Sequence, residues 1–391
     1  MSSRVSLLVV LSAFGCGGES ATRPDATPDG FDRSALLEHI GGSVLLPIQG
    51  GFAVRASELP AAVDAYCTAL DGGSVGATQA AARTAWASAT DAWERADALI
   101  VGPAAMDNRA LRDRIYSWPL LSTCGIDRDT AAHWTNPASY DITTKLANVR
   151  SLAAIEYLLF ATATTHTCAT APNGWDALAA ELPRARCRLA SVIAHDVAGA
   201  AVTLHAAWRP DGGDFVGELA RAGESSSIRS AHEGVNRITD GIFYIDRMVK
   251  DMKLGEAAGI AVNACGSVMT PCLREVELQY GDRATFAIRA NLLTLREAFT
   301  GTTGTASGPG FDDFLIAVGH PELAERMLAN LDASIAKAAA LPDSFLGALS
   351  TDYQSVVAAH SAVKLFTDDL KSQFLTVLAL EIPDDVAADN D

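Results

Sequence analysis

The residue with the clearest chemical potential in this sequence is Glu156, in the apolar segment 146–160. In a helix, the neighbours that share its face are all apolar: Val149, Leu152, Leu159 and Phe160. An unpaired carboxylate in an apolar interior is costly, so Glu156 must be paired, protonated or bound to a ligand. A ligand or catalytic site fits this pattern, and so does a buried glutamate that an arginine or a tryptophan N–H of a neighbouring helix satisfies.

Metal binding is one chemistry that a buried carboxylate could serve, and it needs further ligands. The sequence has eight histidines, with no pair at i, i+4: His39, His133, His166, His195, His205, His232, His320 and His360. His232-Glu233 begins like a zinc-peptidase motif, but Asn236 stands where the second histidine is required. A metal ion would therefore bind Glu156, if any residue, with ligands from elsewhere in the chain.

Helices must position these residues, because apolar residues recur at spacings of three and four and no alternating strand pattern is present. The periodicity predicts helices over 34–50, 57–70, 77–101, 142–161, 175–208, 226–252, 283–300, 321–341 and 353–381. Pro210-Asp211-Gly212-Gly213 is the strongest break between them. We therefore predict an all-α fold of two antiparallel helical bundles packed side by side, an N-terminal bundle over 34–209 and a C-terminal bundle over 214–381.

The N-terminus has the features of an export signal. In residues 1–15, one arginine precedes a short apolar run that ends in small residues, and Cys16 follows directly. This order predicts lipidation at Cys16 and a small, polar tether over 16–33, although plain secretion with cleavage elsewhere is an alternative. At the other end, residues 382–391 form an acidic tail that we expect to be solvated.

The cysteines agree with export. Setting Cys16 aside leaves six candidates for disulfide bonds: Cys67, Cys124, Cys168, Cys187, Cys265 and Cys272. An even number in an oxidising compartment allows up to three bonds and fifteen pairings. We predict pairing in sequential order, because Cys168/Cys187 and Cys265/Cys272 each bracket a predicted loop.

Composition excludes some classes of partner. The 391 residues include 30 Lys+Arg and 47 Asp+Glu, a formal net charge of −17, which disfavours nucleic acid and anionic membrane surfaces. Membrane association is therefore expected through the lipid anchor alone. The hydrophobic fraction of 49% is enough for large cores.

Several segments carry a resemblance to a known family. Ser-Leu-Ala-Ala-Ile-Glu-Tyr-Leu-Leu-Phe, over 151–160, resembles the signature region of the imelysin family, envelope proteins once classed as metallopeptidases and often tied to iron uptake. Other similar segments follow in the family's order: Trp86 through Trp93-Glu94 to Gly102-Pro103, Ser117-Trp118-Pro119-Leu120 with Ile126-Asp127, Lys253-Leu254-Gly255 with Gly259, and Glu277, Asn291 and Gly301. The likeness spans about residues 36–350.

The family's Gly-x-His-x-x-Glu motif is degenerate here. Its glycine is Ser151 and its histidine is Ala153, so only the carboxylate of Glu156 remains as a metal ligand. The resemblance implies a ligand site that includes Glu156 and these further candidates: Trp93, Trp118, Asp127, Glu277 and Asn291. No catalytic residue is assigned.

These observations predict an imelysin-like lipoprotein, anchored in the cell envelope and facing the periplasm or the outside. Its expected role is to bind an unknown ligand or envelope protein without catalysis, with the link to iron or another metal implied by the resemblance alone. A metallopeptidase of the imelysin type and a purely structural envelope protein are the alternatives. The first predicts cleavage that a chelator stops, and the second predicts that Glu156 only stabilises the core.

Overall fold

The computed structural model describes residues 29–178, 180–266 and 268–383. Within these ranges every regular element is helical, and the only β-type pairing is an isolated bridge between Thr302 and Ser307. The all-α prediction is confirmed. The signal peptide (1–15), the lipidation site Cys16, most of the tether (16–33) and most of the acidic tail (382–391) lie outside the described residues and stay predictions.

The first half of the chain is built around one long helix. Its α-helices are α1 (Arg33–His39), α2 (Leu46–Leu70), α3 (Val75–Asp97), α4 (Met106–Ile115), α5 (Thr123–Thr135), α6 (Leu152–Phe160), α7 (Trp175–Leu178) and α8 (Leu182–Trp208). A π-helical segment, Ile40–Leu45, joins α1 to α2. Because α2 packs against both α3 and α8, these three long helices form the main bundle of this half.

The second half contains shorter helices. They are α9 (Phe215–Ala220), α10 (Ala231–Ile242), α11 (Ala284–Thr300), α12 (Phe311–Ala317), α13 (Pro321–Ala340), α14 (Phe345–Thr351), α15 (Tyr353–Asp369) and α16 (Leu375–Leu378). Two π-helical segments, Ile245–Glu256 and Leu370–Phe374, lie between α10 and α11 and between α15 and α16. In this half α13 packs against α11, α12 and α15.

The two halves share one hydrophobic core. Helix α3 packs against α11, and α1 packs against α9 and α10, so helices from both sides of residues 209–214 contact each other. The largest cluster of buried apolar side chains is one contiguous set in space, with members along the chain from Leu36 to Leu380. The division into bundles over 34–209 and 214–381 stays a prediction.

Some of the predicted helices differ from the structure in their bounds. The helices expected at 34–50 and 57–70 form one continuous helical run, and Pro60 lies inside α2. The lost backbone hydrogen bond at Pro60 is tolerated where packing against α3 and α8 holds α2 on both sides. The helix expected over 142–161 is α-helical only from Leu152 to Phe160, because two 3₁₀ turns precede it.

The disulfide bonds only partly follow the predicted order. Cys265–Cys272 is confirmed, but the other bonds are Cys67–Cys187 and Cys124–Cys168. Sequential pairing is wrong for these four cysteines because α2 packs against α8, which brings Cys67 and Cys187 together with a Cα–Cα distance of 5.5 Å. Disulfides persist in oxidising compartments, so the three bonds indicate an exported protein.

Among the described helices, α8 is long and apolar enough to cross a membrane by length and composition. Half of its most apolar window is buried inside the protein, where α8 packs against α2, α5 and α6. A core helix can meet the same two criteria. This finding is therefore weak support for a membrane span.

Candidate functional site

One face of α3 carries polar side chains into the core. Thr90, Glu94 and Asp97 are spaced by four and three residues, so they lie on one helical face, and all three are fully buried. Helix α11 and the segment Ile245–Glu256 supply the opposing side chains. A buried cluster of charged groups therefore lies where the two halves meet.

Lys253 lies at the centre of this cluster. Its ammonium nitrogen donates to Glu94 Oε2 at 2.6 Å and to Asn291 Oδ1 at 2.8 Å, and it lies 3.0 Å from Glu277 Oε2. The side chains of Lys253, Glu94 and Glu277 are completely buried. Three separate segments of the chain thus supply oxygen atoms to one ammonium group.

Asn291 and Tyr116 hold the two carboxylates in place. Asn291 Nδ2 donates to the carbonyl oxygen of Glu94 at 2.7 Å and to Glu94 Oε2 at 3.1 Å. The Tyr116 hydroxyl donates to Glu277 Oε1 at 2.8 Å. Since each carboxylate has donors from another segment, the positions of both are fixed before any ligand binds.

A second buried ion pair adjoins the first. Arg112 binds Asp97 in a bidentate manner, with Nε at 2.9 Å from Oδ1 and Nη2 at 2.8 Å from Oδ2. The Tyr244 hydroxyl also donates to Asp97 Oδ2, at 3.0 Å. Lys253 Nζ lies 5.4 Å from the ring centre of Tyr244, so this tyrosine contacts both parts of the cluster.

The charges in the cluster shift one another's pKa values. Burial, together with repulsion from Glu277, raises the pKa of Glu94 to about 8. Burial alone would lower the pKa of Lys253, but the carboxylates of Glu277 and Glu94 outweigh it and the net pKa is raised. At neutral pH Lys253 is therefore charged, whereas Glu94 largely keeps its proton, because its raised pKa lies above 7.

Glu156 lies beside this cluster and is closed off from solvent. Its side chain is 2% exposed, and its Oε1 accepts the backbone N–H groups of Tyr280 and Gly281, each at 2.9 Å. Burial raises the pKa of Glu156 to about 8, and the nearby Glu277 carboxylate adds to the shift. Backbone donors from the second half, rather than an arginine or a tryptophan N–H, thus satisfy this carboxylate.

The structure brings together four of the six predicted ligand-site residues. Glu277 and Asn291 contact Lys253 directly, the partly exposed Trp118 ring lies 5.9 Å from its ammonium nitrogen, and Glu156 interacts electrostatically with Glu277. Each lies at the contact between the two halves.

The other two candidates lie apart from the cluster. Trp93 is buried against Phe52, with ring centres 4.9 Å apart. Asp127 is also fully buried, and it accepts hydrogen bonds from the Tyr157 hydroxyl at 2.9 Å and from the backbone N–H of Thr167 at 2.7 Å. Asp127 therefore ties the loop at Thr167 to α5 and α6.

Several members of the cluster were not among the site residues predicted from the sequence. They are Glu94, Asp97, Arg112, Tyr116, Tyr244 and Lys253. A signal for two of them was present, because Glu94 and Asp97 lie four and seven residues after Thr90 in a helix whose Trp86 and Trp93 predict a buried side. Lys253 belongs to the family-like segment Lys253-Leu254-Gly255, but its highly charged surroundings in the sequence resemble a solvent-exposed face.

A cleft lies close to the cluster. Its volume is ≈ 370 Å³, and its lining includes Ile100, Arg109, Asp240, Tyr244, Arg247 and Met248. These residues come from both halves of the chain, so we refer to it as the junction cleft. Tyr244 joins the cleft to the buried network, because it lines the cleft and donates to Asp97. Glu156 does not line this cleft.

The comparisons with known proteins identify the family. The family model described as Imelysin matches residues 51–372, most of the chain. The chain belongs to the imelysin family. The resemblance expected from the sequence is therefore confirmed. No curated protein matches the chain.

Two solved structures share the imelysin-like fold. A protein described as an iron-regulated protein A precursor, from Parabacteroides distasonis ATCC 8503, has a TM-score of 0.67 and 18% identity, over 92% of this chain and 96% of that one. An imelysin-like protein from Psychrobacter arcticum 273-4 has a TM-score of 0.60 and 16% identity, over 90% of this chain and 96% of that one. At these identities the likeness establishes the fold.

The buried residues do not fit the resident divalent metal ion that the resemblance led us to consider. Within the described ranges, no three His, Cys, Asp or Glu side chains form a group that could hold one. The oxygen atoms that come nearest to such a group surround Lys253, whose ammonium already occupies their centre. One oxygen of Glu156, Oε1, already accepts two backbone N–H groups.

Proposed function

We propose that this imelysin-family chain is an exported, lipid-anchored envelope protein that binds a ligand without catalysis and serves the uptake of iron or another metal. The junction cleft is its proposed binding site. The observation that carries the proposal is the position of Tyr244, which lines the cleft and is fixed from behind by its hydrogen bond to Asp97. A wall held by a buried ion network is preorganised for binding.

The chemistry of the cleft favours an anionic ligand. Arg109 and Arg247 lie in its lining together with Asp240, and the phenol ring of Tyr244 adds an aromatic surface. Guanidinium groups bind carboxylate and phosphate oxygens in a fixed geometry. A cleft of ≈ 370 Å³ accommodates a small molecule such as a carboxylate chelate of a metal ion.

The link to iron and the lipid anchor rest on observations other than the geometry of the cleft. One structural neighbour is described as an iron-regulated precursor, which supports a role in iron metabolism. The apolar run before Cys16 supports lipidation there. A non-catalytic role is supported by Ala153, which stands where the family motif has a histidine, and by the contacts that Glu156, Glu94 and Glu277 already make with other residues.

Titration calorimetry with the purified protein tests this proposal. The probes are ferric citrate, citrate alone, haem, and iron, copper and zinc salts. We expect heat with a ferric chelate or haem, and binding at least about tenfold weaker in Arg247→Gln, since a charged hydrogen bond is lost. Arg229→Gln, at a side chain that is 88% exposed and outside the junction cleft, is the matched control and should bind as the wild type does.

Two results would contradict the proposal. The absence of heat with every probe would remove the small-molecule site in the cleft. Chelator-sensitive cleavage of an unfolded protein, abolished by Glu156→Gln, would instead support the metallopeptidase. If Glu156→Gln changed only the melting temperature and no probe bound, the structural alternative would stand.

A further inference from the structure

The surroundings of Lys253 have the composition of a cation site. Three oxygen atoms converge on its ammonium nitrogen: Glu94 Oε2, Asn291 Oδ1 and Glu277 Oε2, at 2.6, 2.8 and 3.0 Å. They come from α3, from α11 and from the loop before α11, and all three side chains are at most 2% exposed. Two carboxylates and an amide carbonyl are ligands that Ca²⁺ and Mn²⁺ prefer.

The distances are compatible with such an ion. Calcium binds oxygen atoms at about 2.3–2.6 Å, only slightly closer than the ammonium nitrogen lies to these three atoms. Asn291 and Tyr116 orient the two carboxylates through hydrogen bonds of their own. Removing the lysine side chain would therefore leave three fixed oxygen ligands around an empty space.

The charge of the cluster also suits a divalent ion. Two carboxylates, Glu94 and Glu277, face one ammonium group, and Glu94 Oε1 is buried without a hydrogen-bond partner. That oxygen is an unused acceptor within a fully buried side chain. An ion of charge +2 would balance both groups in their ionised forms, whereas beside the single charge of Lys253 the pKa of Glu94 stays raised.

We propose that Lys253 is a built-in cation, whose ammonium group fills an oxygen site formed by Glu94, Glu277 and Asn291 that would otherwise bind a hard divalent metal ion. The side chain keeps this site closed to metals in the native protein. It also lies near the rings of Tyr244 and Trp118, at 5.4 and 5.9 Å, which favour a cation at this position. The proposal does not depend on what binds in the junction cleft.

The test is to remove the lysine and offer a metal. Lys253→Ala, prepared with EDTA, should melt several degrees below the wild type because two buried carboxylates lose their partner. Added Ca²⁺ or Mn²⁺ should restore at least half of that loss and bind with a stoichiometry of one in titration calorimetry. The same ions should leave the melting temperature of the wild type unchanged.

Three control variants separate a metal site from general effects. Lys253→Met fills the space without a charge, so it should be destabilised and should not respond to metals. Lys253→Ala combined with Glu277→Gln removes one ligand charge, so its metal affinity should fall at least tenfold. Lys364→Ala removes a lysine that is 40% exposed and pairs with Asp368, and should behave as the wild type does.

Each remaining outcome counts against the proposal. It is wrong if folded Lys253→Ala shows no metal-dependent change, or if it responds to metals no more than Lys253→Met does. It is also wrong if Lys253→Ala cannot be recovered folded even when Ca²⁺ or Mn²⁺ is present throughout, because the ion should replace the ammonium. Finally, metal binding by the wild type that Glu94→Gln abolishes would show that Lys253 does not close the site.

Discussion

The ammonium nitrogen of Lys253 lies 2.6 Å from Glu94 Oε2, although the two residues are 159 positions apart in the sequence. This contact joins α3 in the first half to the segment Ile245–Glu256 in the second. Tyr244, which immediately precedes that segment, lines the junction cleft. The ion network therefore positions one wall of the proposed binding site.

Replacing Glu156 with glutamine should change how stability depends on pH. Burial raises the pKa of Glu156 from 4.5 to about 8. Between these two values the unfolded chain loses the proton and the folded chain keeps it, so this group lowers the free energy of unfolding as pH rises from about 4.5 to about 8. Glu156→Gln cannot ionise, and its amide oxygen can still accept the N–H groups of Tyr280 and Gly281.

The measurement is urea unfolding of both proteins at several pH values. At pH 9 we expect the variant to be more stable than the wild type by a few kcal/mol, on the scale of ~1.4 kcal/mol for each pKa unit. At pH 4 the two should differ little. Glu58→Gln, at a carboxylate that is 54% exposed, is the control and should leave the pH profile unchanged. Parallel profiles for wild type and Glu156→Gln would contradict the shifted pKa.

Replacing Arg112 with lysine should destabilise the protein strongly. Arg112 binds both oxygens of the buried Asp97, and lysine cannot reproduce this bidentate geometry. We expect a loss of about 2–4 kcal/mol in the free energy of unfolding, measured from the urea midpoint. The exposed pair Arg55–Glu58 provides the control, and Arg55→Lys should change stability by less than about 0.5 kcal/mol. Equal effects of the two substitutions would argue against a buried ion pair.

The disulfide bonds predict two measurable results. Peptide mapping without reduction should recover Cys67–Cys187 and Cys124–Cys168, and recovery of Cys67–Cys124 would contradict the structure. Replacing the cysteine pair 67/187 with alanine opens a loop of 120 residues, and we expect a loss of about 4–5 kcal/mol. Replacing the pair 265/272 opens a separation of 7 residues, for which about 2–3 kcal/mol is expected.

Local periodicity was sufficient for the helical class but not for the details of the helices. The spacing of apolar residues predicted α3, α8, α11 and α13 to within several residues. It failed between residues 50 and 57, where we expected a break between two helices and where α2 is continuous. Proline is unfavourable in an isolated helix, but packing on both sides of α2 outweighs that cost at Pro60.

The sequence also identified Glu156 as a buried carboxylate, because its apolar neighbours lie on its own helical face. It did not reveal what satisfies this carboxylate. The donors are the backbone N–H groups of Tyr280 and Gly281, about 124 positions away. Every residue except proline has such a group, so residue type does not show which of them will donate to Glu156. The spacing of apolar residues shows which face of a helix is buried, but not which residues contact that face.

The sequence by itself determined the helical fold class and membership of the imelysin family, because these depend on local spacing, composition and motifs. Only the tertiary structure decided the disulfide pairing and the group of charges around Lys253. Glu94, Glu277 and Asn291 meet there because helices from both halves pack together, and the sequence pattern of each helix is the same whichever partner it packs against.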